Sequence, residues 1–263
     1  MLVLGIETSC DETAVAIVKN GKTVLSSQVA SQIDRHKPFG GVVPEIAARE
    51  HLNILPELCK RALSEACLTA KDLDFVAVTQ GPGLMGALLV GVSFARGFAS
   101  AHNLPLIPLD HVHAHIFGTF LSLPEKQEVE DLFPALALVV SGGHTNLYKM
   151  TSPTKLELLA YTLDDACGEC FDKVARLLGL GYPGGRLIEE QAKEGDSNRF
   201  LMPKMLLNKH TLFSYSGLKT HMRYVYERGE VKNEQDLKDL CASFQDEAVS
   251  QLERKISYAL KKS

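Results

Sequence analysis

The sequence has no tryptophan, no basic arm and no long apolar run. Lys and Arg number 28 against 32 Asp and Glu, a net charge of −4, so bulk positive charge cannot hold a nucleic acid to this chain. A local basic patch or a partner would have to do so. Six cysteines in 263 residues are too sparse for a disulfide scaffold and are read as reduced thiols. The most apolar stretch, residues 83–95, is too short to span a bilayer and runs into Arg96. Residues 1–16 have no positive start, and Glu7, Asp11 and Glu12 interrupt them, so no signal peptide is expected. A cytoplasmic protein with no membrane partner is the expectation. What is present is ordinary for a folded chain. Hydrophobic residues make up 45% and charged residues 23%, enough to fill one large or two modest domains.

Short β-branched runs open the chain at 2–7 and 14–19, with a polar turn, Thr8 to Thr13, between them. Asn20-Gly21 predicts a hairpin into a third strand at 23–30. A Gly-rich loop at 38–43 precedes a helical pattern over 44–66, which Pro56 is expected to interrupt. Further strands are expected at 75–79 and 104–109, with a helix between them. The polar stretch 125–131 reads as a connector. Beyond it come strands at 135–140, 146–150 and 156–162, a helix over 165–178 and another after the 179–185 loop. Residues 195–235 give no clear pattern. Residues 237–262 form a long amphipathic helix with Leu237, Cys241, Phe244, Ala248, Leu252, Ile256 and Leu260 in line.

Three histidines fall within five residues. His111 and His115 are spaced i, i+4, which on a helix gives a metal-binding pair, while His113 points elsewhere. A zinc-protease motif needs Glu directly after the first His, and Val112 stands there. Gly-rich turns at Gly81-Pro82-Gly83, Ser141-Gly142-Gly143-His144-Thr145 and Gly181-Tyr182-Pro183-Gly184-Gly185 could cradle a phosphate or be plain tight turns. None has the Gly-Lys-Ser/Thr ending of a P-loop. Asp11 and Glu12 sit at the tip of the opening turn. Asp164, Asp165, Glu169 and Asp172 crowd one helix start, where carboxylates often serve only the helix dipole. Asp172 lies past the first turn and is the better candidate for a specific contact. Cys167-Gly168-Glu169-Cys170 lacks a second such pair and a thioredoxin-like context.

Taken in order, Gly5-Ile6-Glu7-Thr8-Ser9-Cys10-Asp11-Glu12-Thr13 and Gly40-Gly41-Val42-Val43-Pro44-Glu45-Ile46-Ala47 resemble the TsaD family. The three Gly-rich turns, the histidine pair and Phe213-Ser214-Tyr215-Ser216-Gly217-Leu218-Lys219-Thr220 carry the same resemblance along the whole chain. It implies an α/β fold of the actin, sugar-kinase and heat-shock ATPase type, with lobes at 1–130 and 131–263. The activity implied is transfer of threonylcarbamoyl from threonylcarbamoyl-AMP to N6 of the tRNA adenosine 3′ of the anticodon. His111 and His115 would bind a metal, Fe2+ first, with Zn2+ or Mg2+ as alternatives. Val139, Val140, Ser141, Gly142, Gly143, Asp172, Gly185 and Glu189 would line the site of that adenylate or of an ATP-type nucleotide. Asp11 and Glu12 would lie at the reaction centre. The implied partners are tRNA, a paralogous TsaB-like protein and a TsaE-like ATPase. Family sequences continue past a position equivalent to Ser263 into a motif supplying a carboxylate metal ligand. A truncated second lobe, an incomplete metal site and a partly exposed apolar stripe on the last helix are therefore expected. Two other readings compete. A small-molecule kinase would share the fold but lacks any sugar-specific motif here. A non-catalytic, truncated member would bind nucleotide or a partner and hold metal weakly.

Overall fold

The computed structural model describes residues 1–124 and 127–262. Glu125 and Lys126, at the start of the polar connector, lie outside the described residues. The chain divides into two compact units, Met1–Gln127 and Glu128–Ser263. Among the described residues no helix is long and apolar enough to cross a membrane.

The first unit contains β1 (Leu2–Glu7), β2 (Glu12–Lys19), β3 (Thr23–Ser31), α1 (Ile33–His36), α2 (Pro44–Glu65), β4 (Phe75–Gly81), α3 (Met85–His102), β5 (Leu106–Asp110) and α4 (His111–Phe120). Its sheet runs β3-β2-β1-β4-β5. The opening three strands are antiparallel, and β1, β4 and β5 are parallel. Asn20 and Gly21 take φ of 52° and 70°, the positive pair that a tight hairpin of this hand requires. Alternate residues of β1 and β2 (Leu4, Ile6, Val15 and Ile17) are buried with Val76 and Val78 of β4. Leu55, Leu58, Cys59 and Ala62 of α2 and Ala95 and Ala99 of α3 complete this core. Each fully buried aliphatic side chain contributes about 1.5–3 kcal/mol. Because β1, β4 and β5 are parallel, their C-terminal ends deliver three segments to one edge of the sheet. These are the Thr8–Asp11 turn, the Gly81–Leu84 turn and the start of α4.

Pro56 does not interrupt α2, which runs unbroken from Pro44 to Glu65. Its ring removes one rung of the backbone ladder. Leu55, Leu58 and Cys59 beside it are buried against the sheet, and that packing outweighs the missing bond.

The second unit contains β6 (Ala135–Val140), β7 (Thr145–Ser152), β8 (Lys155–Thr162), α5 (Cys167–Leu177), α6 (Gly184–Ala192), β9 (Leu212–Phe213), α7 (Ser216–Glu227) and α8 (Glu234–Lys262). The meander β6-β7-β8 is antiparallel, and β9 adds to it in parallel. Leu147, Val174, Ile188, Phe213, Leu218 and Phe244 share one core. The α8 stripe is buried from Cys241 to Leu252, while Leu260 is 63% exposed.

Residues 195–235, patternless in sequence, yield β9 and α7, and α7 is held from a distance. The Asp164 carboxylate accepts from the Tyr215 and Ser216 amides at 2.8 and 3.1 Å. It also accepts from the Ser214 and Ser216 hydroxyls at 2.6 and 2.7 Å. Partial burial raises the Asp164 pKa, but these hydrogen bonds outweigh it and hold the carboxyl below its usual range. A depressed carboxyl stabilises the fold above its unfolded pKa and loses that contribution as pH falls through its folded one. Asp164→Asn should therefore lower stability at neutral pH by about 1 kcal/mol, since solvent reaches the group. Calorimetry should show the gap to wild type closing on acidification through the carboxylate range, and a gap independent of pH would refute the assignment.

Candidate functional site

In the first unit the site grows from the end of β1. Glu7 is the last residue of an otherwise apolar strand, and the chain turns immediately after it. The turn is bolted to α3. Thr8 Oγ1 donates to the Ala87 carbonyl at 2.9 Å, and the Leu84 amide donates to the Ser9 carbonyl at 2.8 Å. No side chain fits between the two segments. A Cβ on Gly91 would lie 2.2 Å from Thr8 Oγ1, and one on Gly83 would lie 2.6 Å from the Ser9 carbonyl.

His111 begins α4, whose N-terminus is capped by Asp110 accepting from the His113 amide at 3.0 Å. His111 Nδ1 lies 3.1 Å from Glu7 Oε2 and 3.0 Å from Ser9 Oγ. Burial works to raise the Glu7 pKa, but hydrogen bonds from His111, Ser9 and Thr79 prevail and hold it at about 2. The carboxylate is thus ionised and can only accept, so the His111 proton sits on Nδ1 and the Nε2 lone pair faces away. One helical turn on, His115 brings its Nε2 to 3.1 Å from His111 Nε2, with the rings edge to face at 4.5 Å.

The i, i+4 spacing therefore does place the two imidazoles together, as a metal pair requires. Two ligands to one ion at about 2.1 Å each span a separation of this size, so the pair fits a metal. An imidazole set with a carboxylate orienting one ring suits iron or zinc. Among the described residues no group of three His, Cys, Asp or Glu comes together, so the described chain offers two ligands. Glu7 and Ser9 were not singled out from the sequence. A carboxylate ending a buried strand, two residues before a serine, is the signal that could have found them.

Asp11 is half-buried and Glu12 exposed, at the tip of the same turn. Glu12 opens β2 opposite Ser31, and the Asp11 carbonyl accepts from the Gln32 amide at 2.9 Å.

The second unit carries the Gly-rich turns. Val139 is buried at the end of β6, whereas Val140 is 41% exposed. The following turn closes on itself: the Ser141 amide donates to the His144 carbonyl at 2.8 Å, and Ser141 Oγ accepts from the His144 amide at 3.0 Å. The turn lies on the start of α5, where the Gly168 amide donates to the Ser141 carbonyl at 3.1 Å. A Cβ on Gly168 would meet that oxygen at 2.6 Å, whereas Cβ atoms on Gly142 and Gly143 would meet nothing. One face of the turn is thus packed and the other open. Asp172 of α5 accepts from the Gly184 amide at 2.7 Å and so fixes the N-terminus of α6, where Gly185 is open. Asp172, Gly184 and Gly185 are brought together. Glu189 lies one turn further along α6, exposed, 3.8 Å from Lys193. Asp165 pairs with Lys173 and Lys219. Cys167 and Cys170 are buried, and burial raises both thiols, so neither is a thiolate nucleophile.

A family model described as TsaD, tRNA N6-adenosine threonylcarbamoyltransferase, matches residues 23–263. The chain belongs to the TsaD family. A TsaD relative from Syntrophomonas wolfei, bearing the same transferase name, is 51% identical over 99% of this chain and 76% of its own length. One from Thermosipho africanus is 48% identical over 99% of this chain and 77% of its own. TsaD is thus a family of enzymes, transferases by name. Among solved structures, component A of the Acidaminococcus fermentans (R)-2-hydroxyglutaryl-CoA dehydratase matches with a TM-score of 0.51 at 14% identity. The match covers 100% of this chain and 79% of that one. The activator of the Clostridium difficile 2-hydroxyisocaproyl-CoA dehydratase, with bound ADPNP, matches with a TM-score of 0.50 at 14% identity, covering 100% and 76%. That likeness gives the fold alone: two-sheet α/β of the actin, sugar-kinase and heat-shock ATPase type.

Gly91→Ala should force Thr8 off Ala87 and cost about 1–3 kcal/mol. Gly97→Ala on the same helix, where a Cβ meets nothing, should stabilise by up to about 1 kcal/mol through helix propensity. Melting curves that ranked the two the other way would show that α3 does not clamp the turn.

Proposed function

We propose that this chain transfers the threonylcarbamoyl group from threonylcarbamoyl-AMP to N6 of the tRNA adenosine 3′ of the anticodon. The observation that supports the reading is 51% identity over 99% of the chain to a relative named tRNA N6-adenosine threonylcarbamoyltransferase. The donor is a mixed anhydride and already activated. The amine N6 attacks the carbamoyl carbon, the bond from that carbon to the phosphate oxygen breaks, and AMP leaves with the electron pair. No covalent enzyme intermediate is needed. Asp11 and Glu12, at the turn tip, orient the amine and take its proton.

The open face of the turn around Gly142 and Gly143, where no Cβ stands in the way, takes the adenylate. Val139, Val140, Ser141, Asp172, Gly185 and Glu189 complete the nucleotide site, with Asp172 acting through the Gly184 amide it anchors. His111 and His115 hold a metal, iron first, and Glu7 keeps the His111 lone pair aimed outward. When bound, that ion supplies Lewis acidity toward phosphate and carbonyl oxygens. With a net charge of −4, tRNA affinity comes from partners, a TsaB-like paralogue and a TsaE-like ATPase, in the cytoplasm.

The test is reconstitution with threonine, bicarbonate, ATP, unmodified tRNA, a synthase for the adenylate and bacterial partner proteins. Modified adenosine is then read by mass spectrometry of digested nucleosides. Product should depend on this chain and vanish in His111→Ala, which should also lose bound iron. Glu7→Gln should lower the rate by about 10- to 100-fold. No product from this chain, beside an active longer relative, would refute the transferase reading for it.

A further inference from the structure

Behind the reaction-centre turn lie four buried polar side chains that the chemistry above does not use: Thr13, Gln32, His36 and His51. They form one hydrogen-bonded relay, and its proton positions follow from its ends. The Val43 amide donates to His36 Nδ1 at 3.2 Å, which leaves the His36 proton on Nε2. That nitrogen lies 3.1 Å from Gln32 Oε1 and donates to it. The Gln32 amide nitrogen then faces His51 Nδ1 at 3.3 Å, and Thr13 Oγ1 lies 2.7 Å from the same nitrogen. His51 Nδ1 accepts, so its proton is on Nε2, which donates to the Cys10 carbonyl at 2.9 Å. The Gln32 main-chain amide meanwhile donates to the Asp11 carbonyl.

Two consecutive carbonyls of the turn, Cys10 and Asp11, are therefore held by two neighbouring members of one relay. Its other end is the Gly-rich loop at Val43. A histidine serving only to fill a core could end on any buried acceptor; His51 ends on the Cys10 carbonyl, in the turn that carries Asp11 and Glu12. Among the described residues no buried side-chain donor or acceptor lacks a partner, so the relay is complete. Burial also lowers the basicity of His51, which keeps the imidazole neutral as the relay requires.

We infer that His51 and Gln32 are positioning residues: they fix the Cys10–Asp11 backbone and through it the aim of Asp11 and Glu12. The inference rests on the reading that Asp11 and Glu12 act in the transfer. The test uses the whole chain and two readouts. One is transfer kinetics in the reconstituted system. The other is alkylation of Cys10 by iodoacetamide relative to Cys67, read by peptide mass spectrometry. Cys10 and Cys67 are exposed and the other four cysteines are buried, so Cys67 is an internal control for general loosening.

His51→Asn retains polarity but cannot reach the Cys10 carbonyl. It should lower kcat by roughly tenfold or more, leave KM within about twofold, and raise Cys10 labelling severalfold with Cys67 unchanged. His51→Gln can place an amide nitrogen near the Nε2 position, and should restore both readouts. Thr13→Val, nearly isosteric, should shift both in the same direction by less, and decides the matter should His51→Asn fail to fold. Wild-type kcat and Cys10 labelling in a cooperatively melting His51→Asn chain would overturn the inference. So would equal loss in the Asn and Gln variants. Full transfer by Asp11→Asn and Glu12→Gln chains would instead refute the reaction-centre reading, with Cys10 labelling still deciding the restraint on the turn.

Discussion

Glu7 ends a strand whose other residues are apolar, and it stays ionised because His111, Ser9 and Thr79 surround it with donors. Burial alone pushes a carboxyl toward neutrality, and here directed hydrogen bonds win. The consequence reaches beyond the carboxylate. An ionised Glu7 forces the His111 proton onto Nδ1, and that choice turns the Nε2 lone pair toward His115. The chemistry proposed for the pair depends on this one tautomer.

The rest of the first unit keeps that arrangement in place through the main chain. Parallel β1, β4 and β5 bring their ends to one sheet edge. Close approach at Gly83 and Gly91 lets α3 touch the turn, and the buried relay from Val43 to Cys10 restrains its main chain as well. The second unit uses the same device. Gly168 and Gly184 admit backbone contact at the starts of α5 and α6, while Gly142, Gly143 and Gly185 stay open. Side chains in these turns mostly fix backbone groups, as Asp172 does for Gly184.

Much of this was legible in the sequence because it is local. The β-branched runs, the Asn20-Gly21 hairpin and the i, i+4 histidines each carry their signal within a few residues. What escaped was held from a distance. α7 lacks a side-chain cap at its own start because Asp164 supplies the contact, so residues 195–235 showed no helix boundary. Pro56 looked like a break because the tertiary packing of α2 was invisible. Glu7 and His51 act across 104 and 41 residues of chain, on His111 and the Cys10 carbonyl respectively, and no spacing rule joins such partners.

The most direct measurement is the tautomeric state of the two histidines in metal-free protein. Long-range nitrogen–proton correlation spectra of imidazole-labelled chain would assign it, with His111→Ala and His115→Ala identifying the signals. With Glu7 ionised, His111 should be protonated at Nδ1 and His115 at Nε2, and the His111 preference should weaken in Glu7→Gln. A His111 ring protonated at Nε2 in the wild-type chain would contradict it.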